Sequence, residues 1–345
     1  MTVRIGLGLF TGQLPPGSPR TFAQEYRETL ELVRLAEAVG FDSAWVSEHH
    51  GSSDGYLPSL LPMLAAFAAS TERIILGTGV VLAPLHHPLR LAEDAAVVDQ
   101  LSDGRLLLGL GVGWREEEFR MFGVPMRERA RRTEETIEVL RRAWSGRRFS
   151  FEGRAFRFEH VKVTPPPARA GGPPIYIGGS SDAAVRRAGR LADGFITDAL
   201  PVEDVRAFLS VVEEGARSAG RDPSSVSLAL MQNAFVSSDG DAWDQVADGV
   251  AHQMGAYDAW DEEADTPDRD ALDLPPQDQE VLRRLTPTGT PSDVVRALRP
   301  LVAPYTSRAD VHLIVRLHYP GMGFDAASRA VELFGAQAIP AIKGD

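Results

Sequence analysis

The chain predicts an α/β fold, a single (β/α)8 TIM barrel with insertions. Short apolar runs of strand character alternate along it with longer segments of helical periodicity. Eight such runs occur. The run at residues 73–82 is apolar almost throughout, as parallel strands buried on both faces are. A length of 345 residues suits one large barrel, and 43% apolar content is ample for one core.

The first strand is Val3-Arg-Ile-Gly-Leu-Gly-Leu9. Residues 22–39 place Leu30, Val33 and Ala36 on one helical face, and Gly40 stops that helix. The second strand is the apolar run Ala44-Trp-Val46, which ends in Glu48, His49 and His50. Residues 60–69 form an apolar helix and residues 73–82 the third strand. A helix at 89–101, a fourth strand at 104–110 and a long helix at 129–144 follow. Residues 149–163 break the alternation, and Phe149, Phe151, Phe156 and Phe158 suggest a surface hairpin. Strand five is Ile175-Tyr-Ile177, with a helix at 182–191. Strand six is Gly194-Phe-Ile-Thr197, with a helix at 203–219. Residues 225–236 read as strand seven. Thr290-Pro-Ser292 starts a helix at 292–298. Strand eight spans 311–317 and the last helix 324–334. The whole chain, 1–345, reads as one barrel domain. Residues 240–285 are too long for an ordinary connection and read as an insertion that could close as an active-site lid.

Composition excludes several classes. There is no cysteine, hence no disulfide, thiolate nucleophile or cysteine-held metal. The net charge is −12, most of it in residues 258–280, which hold ten acidic residues and one Arg. That argues against a nucleic-acid partner, which needs a basic face. The arginines of residues 127–148 interleave with glutamates at helical spacing, as on a solvated helix face. No long apolar run predicts a membrane span. No signal segment follows Met1, so a cytoplasmic location is expected.

Chemistry concentrates at strand exits. Glu48, His49 and His50 are costly inside a core unless paired, so they should line a cavity. Alternation lets only one of the two histidines face it. His49 is the candidate catalytic base, working near neutral pH. No zinc spacing is present, so no metal is expected. Thr78, Gly79 and Val80 sit inside the third strand, where a glycine marks a bulge, a close approach or relief of crowding. Tyr176, Gly178, Gly179, Ser180 and Ser181 run from strand five into a helix start, either an anion site or a plain Ser N-cap. Gly111 and Gly113 offer a second backbone cradle. Rossmann, P-loop and Gly-x-Ser-x-Gly patterns are missing, and the only lysines are Lys162 and Lys343.

Taken together, these pieces resemble the bacterial-luciferase-like superfamily of flavin-dependent barrel enzymes. The matching segments are Gly40-Phe-Asp-Ser-Ala-Trp-Val-Ser-Glu-His-His50 and Leu76-Gly-Thr-Gly-Val-Val-Leu-Ala-Pro-Leu-His-His-Pro88. Glu93-Asp94, Asp99-Gln-Leu-Ser-Asp-Gly-Arg105, Phe122-Gly123 and Pro174-Ile-Tyr-Ile-Gly-Gly-Ser-Ser181 follow in order. The resemblance implies a barrel, often a homodimer, holding reduced FMN or the deazaflavin F420 at the C-terminal ends of the strands. It implies His49 as the base near the flavin, Glu48 and His50 beside it, and a cis peptide at Gly79–Val80 under the ring. The cofactor phosphate would lie at Gly178 to Ser181. Luciferases carry an Arg after strand four that pairs with the FMN phosphate, and Val112 stands there instead. The Gly-Val-Gly-Trp114 form looks like F420-dependent members, whereas Glu-His-His looks like FMN-using monooxygenases.

The reading that follows is an FMN-dependent monooxygenase. A separate reductase supplies reduced FMN, and one oxygen atom of O2 passes to a small organic substrate. The alternative is an F420-dependent oxidoreductase that exchanges hydride with its substrate, with an F420 reductase as partner. Arg316, His318, Tyr319 and Asn233 lie where substrate contacts could occur. Asp99 and Arg105, which flank a turn, read as scaffold.

Overall fold

The structure is a computed structural model. It describes residues 3–344 apart from 200, 240, 262–273, 306, 307 and 309. Eight parallel strands close into a barrel. They are β1 (Val3–Phe10), β2 (Ser43–Val46), β3 (Ile75–Thr78), β4 (Leu106–Gly111), β5 (Ile175–Gly178), β6 (Gly194–Asp198), β7 (Ser227–Asn233) and β8 (Val311–Arg316). The order is β3-β2-β1-β8-β7-β6-β5-β4, and β3 pairs with β4 to complete the ring.

Alternation divides each strand between two cores. In β2, Ala44 and Val46 join the larger core between strands and helices. Trp45 turns inward and packs with Leu107, Tyr176, Ile196, Ala229 and Ile314 inside the barrel. The indole needs space. A Cβ on Gly77 would lie 2.2 Å from it, and one on Gly6 2.9 Å from its Nε1. The seam between β3 and β4 is pinned by Thr78. Its hydroxyl donates to the Gly109 carbonyl and accepts the Gly109 N–H, both at 2.8 Å.

The predicted third strand is broken. β3 ends at Thr78, the Gly79–Val80 bond is cis, and Val81–Leu82 pairs again with β4. A second non-proline cis bond joins Gly8 to Leu9. The predicted hairpin is present as Phe149–Glu152 against Arg157–Val161. Strand seven is shorter than expected. β7 stops at Asn233, and Phe235–Val236 leaves the barrel to pair with Thr288–Gly289. The acidic segment contains helices at Ala247–Asp261 and Pro276–Leu285 where little periodicity was legible. Residues 262–273 of the expected lid lie outside the described residues.

Arg105 and Asp99 hold the N-terminal end of the barrel. Arg105 donates to the carbonyls of Ala68, Thr71, Ile74 and Ser102. Asp99 accepts the Arg169 N–H at 2.9 Å. Among the described residues no helix is long and apolar enough to cross a membrane. Nor does any group of three or more His, Asp or Glu side chains there have an arrangement that could hold a metal ion.

Candidate active site

The C-terminal ends of the strands surround a cavity of about 720 Å3. Of the predicted residues, Glu48, His49, Gly79, Val80, Gly111, Gly113, Gly178, Gly179, Ser180 and Ser181 line it. His50, Thr78 and Tyr176 stand outside the lining. Thr78 is spent on the seam. Tyr176 lies in the layer beneath the cavity, where burial pushes its hydroxyl up to about 12. His50 turns away, and its ring packs 4.6 Å from Phe122.

The β2 exit is buried, and Glu48, His49 and His50 all have partners. Glu48 accepts from His50 Nε2 at 2.7 Å, His86 Nε2 at 2.8 Å and the Leu82 N–H at 3.2 Å. Burial alone would raise its carboxyl, but the two histidines outweigh that and lower it to about 2. Burial opposes a charge on His86, yet Glu48 raises its pKa. Through Leu82 the same carboxylate ties β2 to the segment that follows the cis bond.

His49 faces a second carboxylate. Its Nδ1 lies 2.9 Å from Oε1 of Glu118, which also accepts the His50 N–H at 2.9 Å. Glu118 has no exposure at all. An acceptor opposite Nδ1 makes that nitrogen the donor and leaves Nε2 to exchange protons. Aromatic rings enclose the imidazole, with Trp260 at 4.6 Å, Tyr56 at 4.8 Å and Tyr257 at 5.5 Å between centroids. Two of them come from the helix Ala247–Asp261, which roofs the site. That helix is anchored from below. His252 meets Asp54 at 3.0 Å, and the Tyr257 and Tyr56 hydroxyls lie 3.1 Å apart. Arg115 covers the outer face of Trp260 at 4.8 Å and donates to the His50 carbonyl.

The opposite rim is made of glycine and serine. A Cβ on Gly111 would lie 2.6 Å from Val80, and one on Gly178 would lie 2.9 Å from it. Both glycines therefore make room for the Val80 side chain, which explains them by packing. Gly179 has φ +150° and Gly113 φ +70°, backbone that suits glycine. Ser180 and Ser181 are exposed, and Ser181 caps the helix Asp182–Leu191 through the Ala184 N–H. The floor is apolar, with Leu9, Val80, Ile196, Met231 and Ile314.

A family model for luciferase-like monooxygenases matches residues 4–307. The chain belongs to that family. An F420-dependent glucose-6-phosphate dehydrogenase of Nakamurella multipartita is 36% identical over 202 residues, 56% of this chain and 59% of that one. An F420-dependent hydroxymycolic acid dehydrogenase of Mycobacterium tuberculosis is 37% identical over 202 residues, 56% of this chain and 55% of that one. The chain thus spans under two thirds of the length of both curated relatives. The crystal structure of monooxygenase RslO1 from Streptomyces bottropensis has 28% identity and a TM-score of 0.81. It covers 98% of this chain and 99% of its own.

Several site residues of this family member escape a linear reading. Glu118 follows Glu116 and Glu117 in a six-residue helix, and nothing local tells which of the three turns inward. Tyr257 and Trp260 stand three apart, a helical spacing that was available but ran into the acidic run. Asp198 ends β6 on the cavity wall. Enclosure raises its carboxyl, and Arg316 partly offsets that rise. Arg316 and Asn233 line the cavity, as expected of substrate contacts. Tyr319 instead donates to the Ala234 carbonyl at 3.0 Å, and His318 packs beside Glu25 and Phe10.

Proposed function

We propose that the protein is an F420-dependent oxidoreductase acting on a small organic substrate. The observation that carries this reading is Val112. It lines the cavity at the position where the FMN-using luciferases carry a phosphate-pairing Arg. The F420-dependent relatives, alike over 202 residues, support it. The cavity fits such a cofactor. A flat ring suits the apolar floor at Gly79–Val80, and the Gly178 to Ser181 rim, exposed at its two serines, suits an anionic tail. When bound, the deazaflavin supplies hydride exchange.

This chain's residues handle the proton and the water. Nε2 of His49 takes the proton from a substrate hydroxyl in oxidation, or returns it to the carbonyl oxygen in reduction. Glu118 holds the imidazole in the matching tautomer. Tyr56, Tyr257 and Trp260 exclude water from that nitrogen, with the helix Ala247–Asp261 as the part that closes.

A second reading, an FMN-dependent monooxygenase fed by a reductase, is favoured by the likeness to RslO1 over nearly the whole chain. Anaerobic titration with F420 and with FMN, each in both redox states, separates the two. The expected result is selective F420 binding and turnover without oxygen. Selective binding of reduced FMN, with oxygen consumed for each product formed, would replace the first reading by the second.

A further inference from the structure

The wall opposite the rim carries charge that no described residue answers. Alternation along β8 sends Val311, Leu313 and Val315 to the outer core and Ile314 to the inner one. Arg316 therefore points inward, at the strand's end. It is 4% exposed and lines the cavity. Among the described residues its guanidinium makes no hydrogen bond and no ion pair, and Nη1 is buried without a partner. Asp198 shares the wall and lies within electrostatic reach, yet the two do not pair. Gln253 reaches in from the roof helix with its Oε1 also buried and unpartnered.

Among the described residues the other two buried arginines are occupied. Arg115 binds the His50 carbonyl and Glu117, and Arg187 binds Glu134. A buried guanidinium without an acceptor is unstable unless something arrives to pair it. Its planar set of donors matches an oxyanion in a two-pronged bond. Position separates this anion from a cofactor tail. β6 and β7 lie between β8 and the Gly-Ser-Ser rim after β5. Arg316 instead stands two strands from β2, with only β1 between, so it shares the side of the cavity where His49 leaves β2.

We propose that Arg316 anchors an oxyanion of the substrate, a carboxylate or phosphate, beside His49. The substrate class is then small organic anions, with the anionic group held at β8 and the reacting carbon facing the floor. The assignment of a reacting carbon rests on the oxidoreductase reading above, but the anion site does not.

The test uses the whole purified chain without cofactor, as wild type, Arg316→Met and Arg316→Lys. Benzoate, inorganic phosphate and neutral benzamide are titrated by calorimetry and by thermal melting. The wild type should bind benzoate or phosphate and melt higher with it, and ignore benzamide. Benzoate alone marks a carboxylate substrate, and phosphate alone a phosphorylated one. Arg316→Met should bind the same anion about thirtyfold more weakly or worse, with Arg316→Lys in between. The ligand-free Met variant should melt no lower than wild type, because it loses a lone buried charge. A Met variant that melts far below wild type, with Arg316→Lys restoring the melt but no anion bound by any form, would make Arg316 scaffold. A parallel F420 titration should be unchanged in Arg316→Met. Loss of F420 affinity in step with anion affinity would assign the anion to the cofactor and overturn the proposal. Because the anion titrations contain no F420, failure of the F420 reading leaves their outcome intact.

Discussion

The exits of β2 and β8 open on the same cavity, and their buried polar groups are treated in opposite ways. At β2, Glu48 takes hydrogen bonds from His50, His86 and Leu82, and His49 meets Glu118. At β8, Arg316 is buried to the same degree and meets no protein acceptor among the described residues. Withdrawing such a charge from water costs several kcal/mol, and only good pairing offsets it. Glu48 and the two histidines at the β2 exit are therefore held as folded, set in one geometry before any ligand arrives, although Oε2 of Glu118 keeps no partner among the described residues. The β8 exit is incomplete as folded and depends on a ligand. The first suits groups that must be aimed, and the second suits a group that selects.

The comparison can be broken first at His49. Replacement by Ala should cut turnover by about a thousandfold, the loss of a positioned proton carrier, while cofactor affinity measured by fluorescence stays put. Full turnover in that variant would remove His49 from the chemistry.

Next in size is Glu48. Glu48→Ala leaves His50 and His86 facing a buried gap and frees Leu82, so about 3 kcal/mol of stability should go in chemical denaturation. The pH profile sharpens this. Glu48 titrates in the fold at about 2, below its ordinary 4.5. Its stabilisation is complete above 4.5 and drains away as pH falls toward 2. His86 is shifted upward from 6.5, so its contribution is complete below 6.5 and is lost as pH rises through the raised value. Wild type should thus gain most from this cluster between 4.5 and 6.5, and Glu48→Ala should show neither slope.

Glu118→Gln keeps the shape and removes the charge. Mis-set imidazole geometry should lower kcat about a hundredfold with KM little changed, and move the pH profile of kcat. An unchanged pH profile would mean that Glu118 only packs. The smallest effect belongs to the roof. Tyr257→Phe removes one hydroxyl contact with Tyr56, about 1 kcal/mol, and should loosen protection of Ala247–Asp261 in hydrogen exchange without abolishing activity.

Local pattern by itself determined a good deal of this protein. The alternation of strand and helix, the aromatic hairpin and the break near Gly79 rest on backbone preferences and side-chain periods within a few residues. So does the inward turn of His49 and the outward turn of His50, since neighbours on an extended chain face opposite ways. Tertiary structure decided who partners whom. Glu118 reaches His49 across 69 positions and His252 reaches Asp54 across 198, and no window of sequence contains such a pair. It also decided what the glycines are for. Gly111 and Gly178 read as phosphate cradles along the chain, yet in space they flank one valine. The isolation of Arg316 belongs to the same class. A lone arginine in an apolar strand is visible in the sequence, but that no described residue pairs with it is a property of every surrounding element at once.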